Sequence, residues 1–142
     1  MKKLFILSVI VVSSVAAMAQ RKVWKNDPAH SRLGFVVKHL TISEISGRFA
    51  DFSVDVTTTK ADYSDAQISV TAKVASIDTD IEARDNHLRS ADFFDAEKYP
   101  VLTFKSIYLK KTGQNEGKLY GNLSFHGITK AVTLDVTYFG TV

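Results

Sequence analysis

Within the stretch DPAHS, Asp27, His30 and Ser31 bring together the acid, base and nucleophile types of a hydrolytic triad. A working triad needs its members to converge from different directions, with the acid orienting the base and an oxyanion hole beside the nucleophile. Three residues crowded into one turn ahead of a strand serve better as caps, since Asp and Ser side chains bond readily to nearby backbone groups. No residue is therefore assigned a catalytic role. The four histidines, His30, His39, His87 and His126, show no H-x-H or H-x-x-x-H spacing that would set two ligands on one face, so no metal site is assigned. His39 shares a strand face with Leu33, Phe35 and Val37, which makes it either a hydrogen-bonded core histidine or a contact for the polar end of a ligand. Arg84, Asp85, His87 and Arg89 crowd one short segment, where they can meet a phosphate-like head or tether that segment to its neighbours. With no cysteine in the chain, thiol chemistry, thiolate metal sites and disulfides are excluded.

The elements that must position these residues alternate in the two-residue period of a strand. In 31–39, Leu33, Phe35, Val37 and His39 oppose Arg32, Gly34, Val36 and Lys38. The stretch 46–56 places Phe52, Val54 and Val56 on one face, with Phe49 out of phase, which predicts a bulge or bend. Ile68, Val70, Ala72 and Val74 repeat the scheme, as do Leu102, Phe104, Ser106 and Tyr108, then Leu119 to Phe125, and finally Val132 to Tyr138. A first strand over 22–26 brings the expected number to seven. Short strands joined by polar turns predict an all-β, antiparallel sandwich or barrel.

The pattern breaks at SIDTDIEARDNHLRSADFFDAEKYP, residues 76–100. Thr79 and Glu82 fit a capping box, and Ile81 and Leu88 give a thin apolar stripe, so a short helix is expected to lie across one end of the sheet as a lid. Of the adjacent Phe93 and Phe94, one should plug the core while the other points away.

At the N-terminus, MKKLFILSVIVVSSVAAMAQ has two lysines, an apolar run too short to span a bilayer, and Ala17-Met18-Ala19, the layout of a secretory signal cleaved after Ala19. The expected domains are thus a signal peptide, 1–19, and one β-barrel domain, 20–142, in a periplasmic or secreted protein that does not span the membrane. The formal charge of +3 falls to +1 once Lys2 and Lys3 are removed. No basic cluster remains that would suit nucleic acid.

DPAHSRLGFVVKHL, ISGRFADF, RDNHLRSADFFDAEKYPVLTF and YGNLSFHGITKAVTLDV together resemble the YceI-like family of lipocalin-like, polyisoprenoid-binding exported proteins, over residues 23–140. The resemblance implies an antiparallel lipocalin-like β-barrel with a helical insert and a tunnel for a long apolar lipid, with no other cofactor. It implies a tunnel lining of Leu33, Phe35, Val37, His39, Phe49, Phe52, Phe94, Phe104 and Phe125, with Arg84 and His87 near the mouth. By periodicity alone each of these phenylalanines reads equally well as plain core. Burying roughly 400 Å² of a hydrocarbon tail contributes about 10 kcal/mol before association costs, enough for affinity without a catalytic group. Family members continue for about two more strands, so the barrel is expected to be incomplete at its C-terminal side, with an open edge. Two other readings stand beside the carrier. One is a small lipid-modifying enzyme using His30 or His39; the other is an interaction module that pairs, as a homodimer or with another chain, through the open edge.

Overall fold

The computed structural model describes residues 21–39 and 43–140; the expected signal peptide lies outside the described residues. Among the described residues, nine strands and one α-helix follow in the order β1 (Lys22–Lys25), β2 (Leu33–His39), β3 (Ser43–Phe49), β4 (Phe52–Thr58), β5 (Gln67–Lys73), β6 (Ile77–Asp78), α1 (Glu82–Arg89), β7 (Val101–Lys111), β8 (Glu116–Phe125) and β9 (Ile128–Thr137), with a single 3-10 turn at Val74–Ser76 between β5 and β6. The architecture is antiparallel β with one short helix. β1-β4-β5-β7-β8-β9 form a six-stranded sheet and β2-β3-β6 a three-stranded one. Among the described residues, β1 pairs with β4 alone and β9 with β8 alone, so the six-stranded sheet is not closed edge to edge.

Nine strands replace the expected seven because one stretch divides and one short strand is added. Of the bulge or bend expected from the change of phase between Phe49 and Phe52, the structure has the bend, and it ends one strand and begins the next. Ala50 and Asp51 form a corner at which the chain leaves one sheet and enters the other. That corner is pinned by Ala50 N–H donating to Ser76 O at 3.0 Å and Asp51 N–H to Ser76 Oγ at 3.0 Å. In addition, Ile77 and Asp78 pair with Phe49 and Arg48 as a two-residue strand.

A bulge does occur where strict alternation gave no hint of it. β7 and β8 pair in one register through Ser106↔Gly121 and in another from Tyr108↔Tyr120, leaving Ile107 as the extra residue. The phase therefore reverses along β7. Tyr108, expected with Leu102 and Phe104, lies on the opposite face, stacked on Tyr120 at 4.4 Å between ring centroids, while Leu109 turns inward opposite Leu119.

The core sits where the two sheets and the helix meet. Phe49, Ala72 and Ile77 are buried there, with Leu33, Phe35, Phe52, Leu88, Phe94 and Leu102 packed around them. A chain of rings runs through it: Phe35 to Phe49 at 5.7 Å, Phe49 to Phe125 edge-on at 6.5 Å, and Phe125 to Phe94 at 4.9 Å. Aromatic pairs of this kind each add about 1 kcal/mol beyond the area they bury. Two glycines make room for rings. A Cβ at Gly47 would overlap the Phe35 ring, and one at Gly121 would lie 2.5 Å from Phe104 Cζ and 2.6 Å from Lys105 O.

The helix starts at Glu82, later than a Thr79 cap requires, and the capping box does not form. Asp80, at φ 65°, turns the chain first, and the buried Thr79 hydroxyl is taken by side chains of α1 instead. Arg89 then ties α1 to the sheet junction, donating from Nε to Ala75 O at 2.8 Å and from an Nη to Ile77 O at 2.7 Å. Phe94 enters the core. Phe93 faces outward, its ring 4.7 Å from that of His87. No helix among the described residues is long and apolar enough to cross a membrane.

Candidate functional site

A cavity of about 460 Å³ lies on the inner face of the six-stranded sheet, away from the ring cluster. Every strand of that sheet contributes to its wall: Trp24 from β1, Val56 from β4, Ile68 from β5, Leu109 from β7, Gly117 from β8 and Val136 from β9. The registers Trp24↔Val56 and Gly117↔Val136 show how neighbouring strands align these residues. The bulge at Ile107 brings Leu109 to this wall. Because both edge strands border the same space, the sheet must curl strongly, as sheets of this size do when they approach a barrel.

The loop from β4 to β5 supplies one end of the cavity, with Ala61, Asp62, Tyr63 and Ala66 on its wall. It is folded around the Asp65 carboxylate, which accepts from the Thr58 hydroxyl at 2.5 Å, the Thr59 hydroxyl at 2.5 Å, Thr59 N–H at 3.0 Å and Lys60 N–H at 3.2 Å. Those hydroxyl and amide donors hold the Asp65 carboxyl far below the ordinary range. Tyr63 has φ 58°, an unusual backbone region for a bulky residue, and its ring lies 5.2 Å from that of Tyr138. Tyr138 is placed in turn by its N–H donating to Asn115 O at 2.8 Å.

Polar residues gather at this same end. Lys111 Nζ lies 3.1 Å from Asp62 Oδ2, and Gln114, Asn115 and Glu116 come from the β7–β8 turn. The Asp62 carboxyl is lowered to about 2 by the Ser64 backbone N–H, the Ser64 hydroxyl and then Lys111. One end of the cavity can therefore meet a polar group, while aliphatic and aromatic side chains form the wall beyond it.

None of the eleven residues assigned to a lining from the sequence borders this cavity. Leu33, Phe35, Phe49, Phe52 and Phe94 meet in the core cluster, Phe125 bridges Phe49 and Phe94, and Phe104 is buried against Gly121. Val37 is half exposed on β2. His39 ends β2 opposite Ser43, and its side chain lies outside the described residues. Arg84 donates from Nε to Thr79 Oγ1 at 2.7 Å and from an Nη to Thr79 O at 2.6 Å, while His87 is exposed, 3.6 Å from Asp92. In the first turn, Asp27 accepts from Ala29 N–H at 2.9 Å and contacts His30 Nδ1 at 2.8 Å, the local capping use of such residues. The His30 contact, then the Ala29 amide, lowers the Asp27 carboxyl. Among the described residues, no three His, Asp or Glu side chains gather as a metal site.

The sequence carried two signals for the cavity that alternation alone does not expose. Asp62-x-Ser64 is an Asx turn, and Asp65 follows three threonine and lysine positions whose donors it gathers. Trp24 sits in a strand too short for its phase to be read securely.

Residues 24–142 match the YceI-like domain family. A UPF0312 protein of Vibrio parahaemolyticus is 35% identical over 134 residues, spanning 94% of this chain and 71% of that protein. Among solved structures, Burkholderia cenocepacia BcnA is similar at a TM-score of 0.72 and 30% identity, over 78% of this chain and 69% of that one. A polyisoprenoid binding domain from Saccharophagus degradans, implicated in plant cell wall breakdown, shares the fold at a TM-score of 0.61 and 19% identity, over 83% of this chain and 68% of that one.

Proposed function

The chain belongs to the YceI-like family, and on that premise we propose that it is a carrier that holds a long apolar lipid, a polyisoprenoid or similar, inside the curled sheet. The observation that carries this reading is the cavity of about 460 Å³, walled by all six strands of one sheet and polar at one end only. A slender hydrocarbon offers apolar area and few hydrogen-bonding groups, which suits such a wall. The binding domain from Saccharophagus degradans, which shares the fold, adds support for an isoprenoid tail.

In this reading no residue is catalytic, no metal or further cofactor is needed, and the protein is periplasmic or secreted after cleavage behind Ala19. The packed rings of Phe35, Phe49, Phe94 and Phe125 form a stop at the helix end, where they meet the far end of the tail together with Leu33, Phe52 and Phe104. The lid helix, with Arg84 and His87, reinforces that stop. Organic extraction of the purified protein followed by mass spectrometry should recover a bound lipid, and protein stripped of lipid should take up an offered polyprenol. Correctly folded protein that yields no lipid and takes up none would overturn the carrier reading.

The outer edge of β9 favours a second reading, a module that adds a strand from another chain, a second copy included. β9 pairs with β8 alone among the described residues and exposes Ile128 and Leu134. Sedimentation of the lipid-free protein would detect such pairing as a concentration-dependent rise in mass.

A further inference from the structure

Two strips of chain beside the cavity turn apolar side chains outward. On β1, Trp24 borders the cavity yet is 37% exposed, and Val23 next to it is 59% exposed. After β9, Tyr138 and Gly140 border the cavity, and Phe139 between them is 95% exposed. A single exposed apolar side chain is ordinary on a protein surface. Val23, Trp24, Tyr138 and Phe139 instead gather along the borders of one apolar space, the pattern of a docking surface. Among the described residues β1 and β9 are the two outer strands of their sheet, so the strips stand on either side of its seam.

The same strips carry Arg21, Lys22 and Lys25 and no carboxylate. Of the carboxylates nearby, Asp62 is paired with Lys111, and Asp65 is enclosed by its hydroxyl and amide donors. Asp55, opposite Lys25, and Glu116, on the cavity wall, offset part of the positive charge. The pull on an anionic surface is therefore modest, and ring insertion supplies the larger share. Aromatic rings flanked by long cationic side chains suit the boundary between acyl chains and head groups, where the ring enters and the charged tip stays wet. Whatever seats on both strips also covers the seam between them, and a fluid acyl surface can cover it and feed a tail into it.

We propose that the strips 21–25 and 138–140 form a membrane-docking face that seats the seam of the sheet on an anionic bilayer, so that a lipid passes between membrane and cavity without crossing water. The proposal extends the carrier reading, on which its purpose rests.

Vesicle flotation tests this, together with emission from Trp24, the chain's one tryptophan. The wild-type protein should co-float with vesicles of phosphatidylglycerol and phosphatidylcholine mixed one to three, and bromine-labelled acyl chains should quench Trp24. Phe139→Ser should weaken co-flotation at least fivefold. Lys22→Gln combined with Lys25→Gln should weaken it about tenfold on the mixed vesicles at low salt, and little on phosphatidylcholine alone. Both variants should keep the wild-type melt and, in detergent solution, the wild-type affinity for a polyprenol, while taking that polyprenol up from vesicles severalfold more slowly. Wild-type protein that does not co-float would overturn the docking face, as would variants that co-float like wild type. Quenching without co-flotation would overturn it too, since that marks one lipid drawn into the cavity, and so would a Phe139→Ser effect confined to self-association. Protein that co-floats as expected but accepts no polyprenol would instead remove the carrier reading and leave the docking face standing.

Discussion

Asp85→Ala tests how the helix end is held. Asp85 and Thr79 are both buried, at 6% and 3% exposure, and Asp85 Oδ1 accepts from Thr79 N–H at 3.0 Å and from its hydroxyl at 2.5 Å. Removing the carboxylate leaves the Thr79 amide with no acceptor in a place water barely reaches, at a cost of roughly 1–3 kcal/mol. The hydroxyl still accepts from Arg84 but loses the acceptor for its own proton, which brings the expected loss to about 2–4 kcal/mol. Asp85→Asn keeps the accepting oxygen and gives up only charge assistance, about 1 kcal/mol. For a domain near this size each kcal/mol moves the melting temperature by roughly 3–5 °C. The alanine variant should therefore melt about 6 °C or more below wild type and the asparagine variant only a few degrees below. Circular dichroism melts at neutral pH, checked by urea titration, measure both. An alanine variant that melts with wild type, or an asparagine variant as damaged as the alanine one, would refute the assignment of Asp85 as the acceptor that closes this buried group.

Arg84→Ala removes two bonds to the same threonine and should lower the melting temperature without changing polyprenol affinity; a loss of affinity at unchanged melting would place a head group at the helix instead. Ile68→Trp directs a large ring into the cavity from β5 and should reduce polyprenol uptake at least tenfold while the protein remains folded, as read by an uptake assay beside a melt. Acid should destabilise the protein through Asp62, Asp65 and Asp78, whose carboxyls are all lowered in the folded state. Their contribution is complete above the unfolded value near 4 and disappears as pH falls through the folded values, about 2 for Asp62, so urea midpoints should stay level at neutral pH and decline from about pH 4 downward. Midpoints that hold constant down to pH 2 would contradict this.

The antiparallel fold was legible because most strands keep one face apolar over four or more residues, and the helix because its residues interrupt that alternation. Three features escaped for separate physical reasons. The corner at Ala50 and Asp51 looks like a bulge, since both reverse the phase of the alternation, and only long-range bonds to Ser76 distinguish them. The bulge at Ile107 is silent because Ile107, Tyr108 and Leu109 are all apolar enough for either face. The cavity lies apart from the expected lining because inward phenylalanines are visible in a sequence, whereas the space between inward side chains is not. Rings that find one another, as Phe49, Phe125 and Phe94 do, close space; Trp24, Ile68, Leu109 and Val136 leave it open. Periodicity identified the inner face of the sheet but not where along it the side chains fail to meet.

The two glycines that seat phenylalanine rings constrain sequence drift in different ways. At Gly47 the three atoms nearest a new Cβ all belong to the Phe35 ring, so a side chain there becomes acceptable once position 35 shrinks: the two sites can change together but not singly. At Gly121 the backbone oxygen of Lys105 is also in the way, and no exchange at position 104 removes it. Randomising both members of each pair and selecting for folded protein should thus return linked small-for-large exchanges at 47 and 35, and glycine alone at 121.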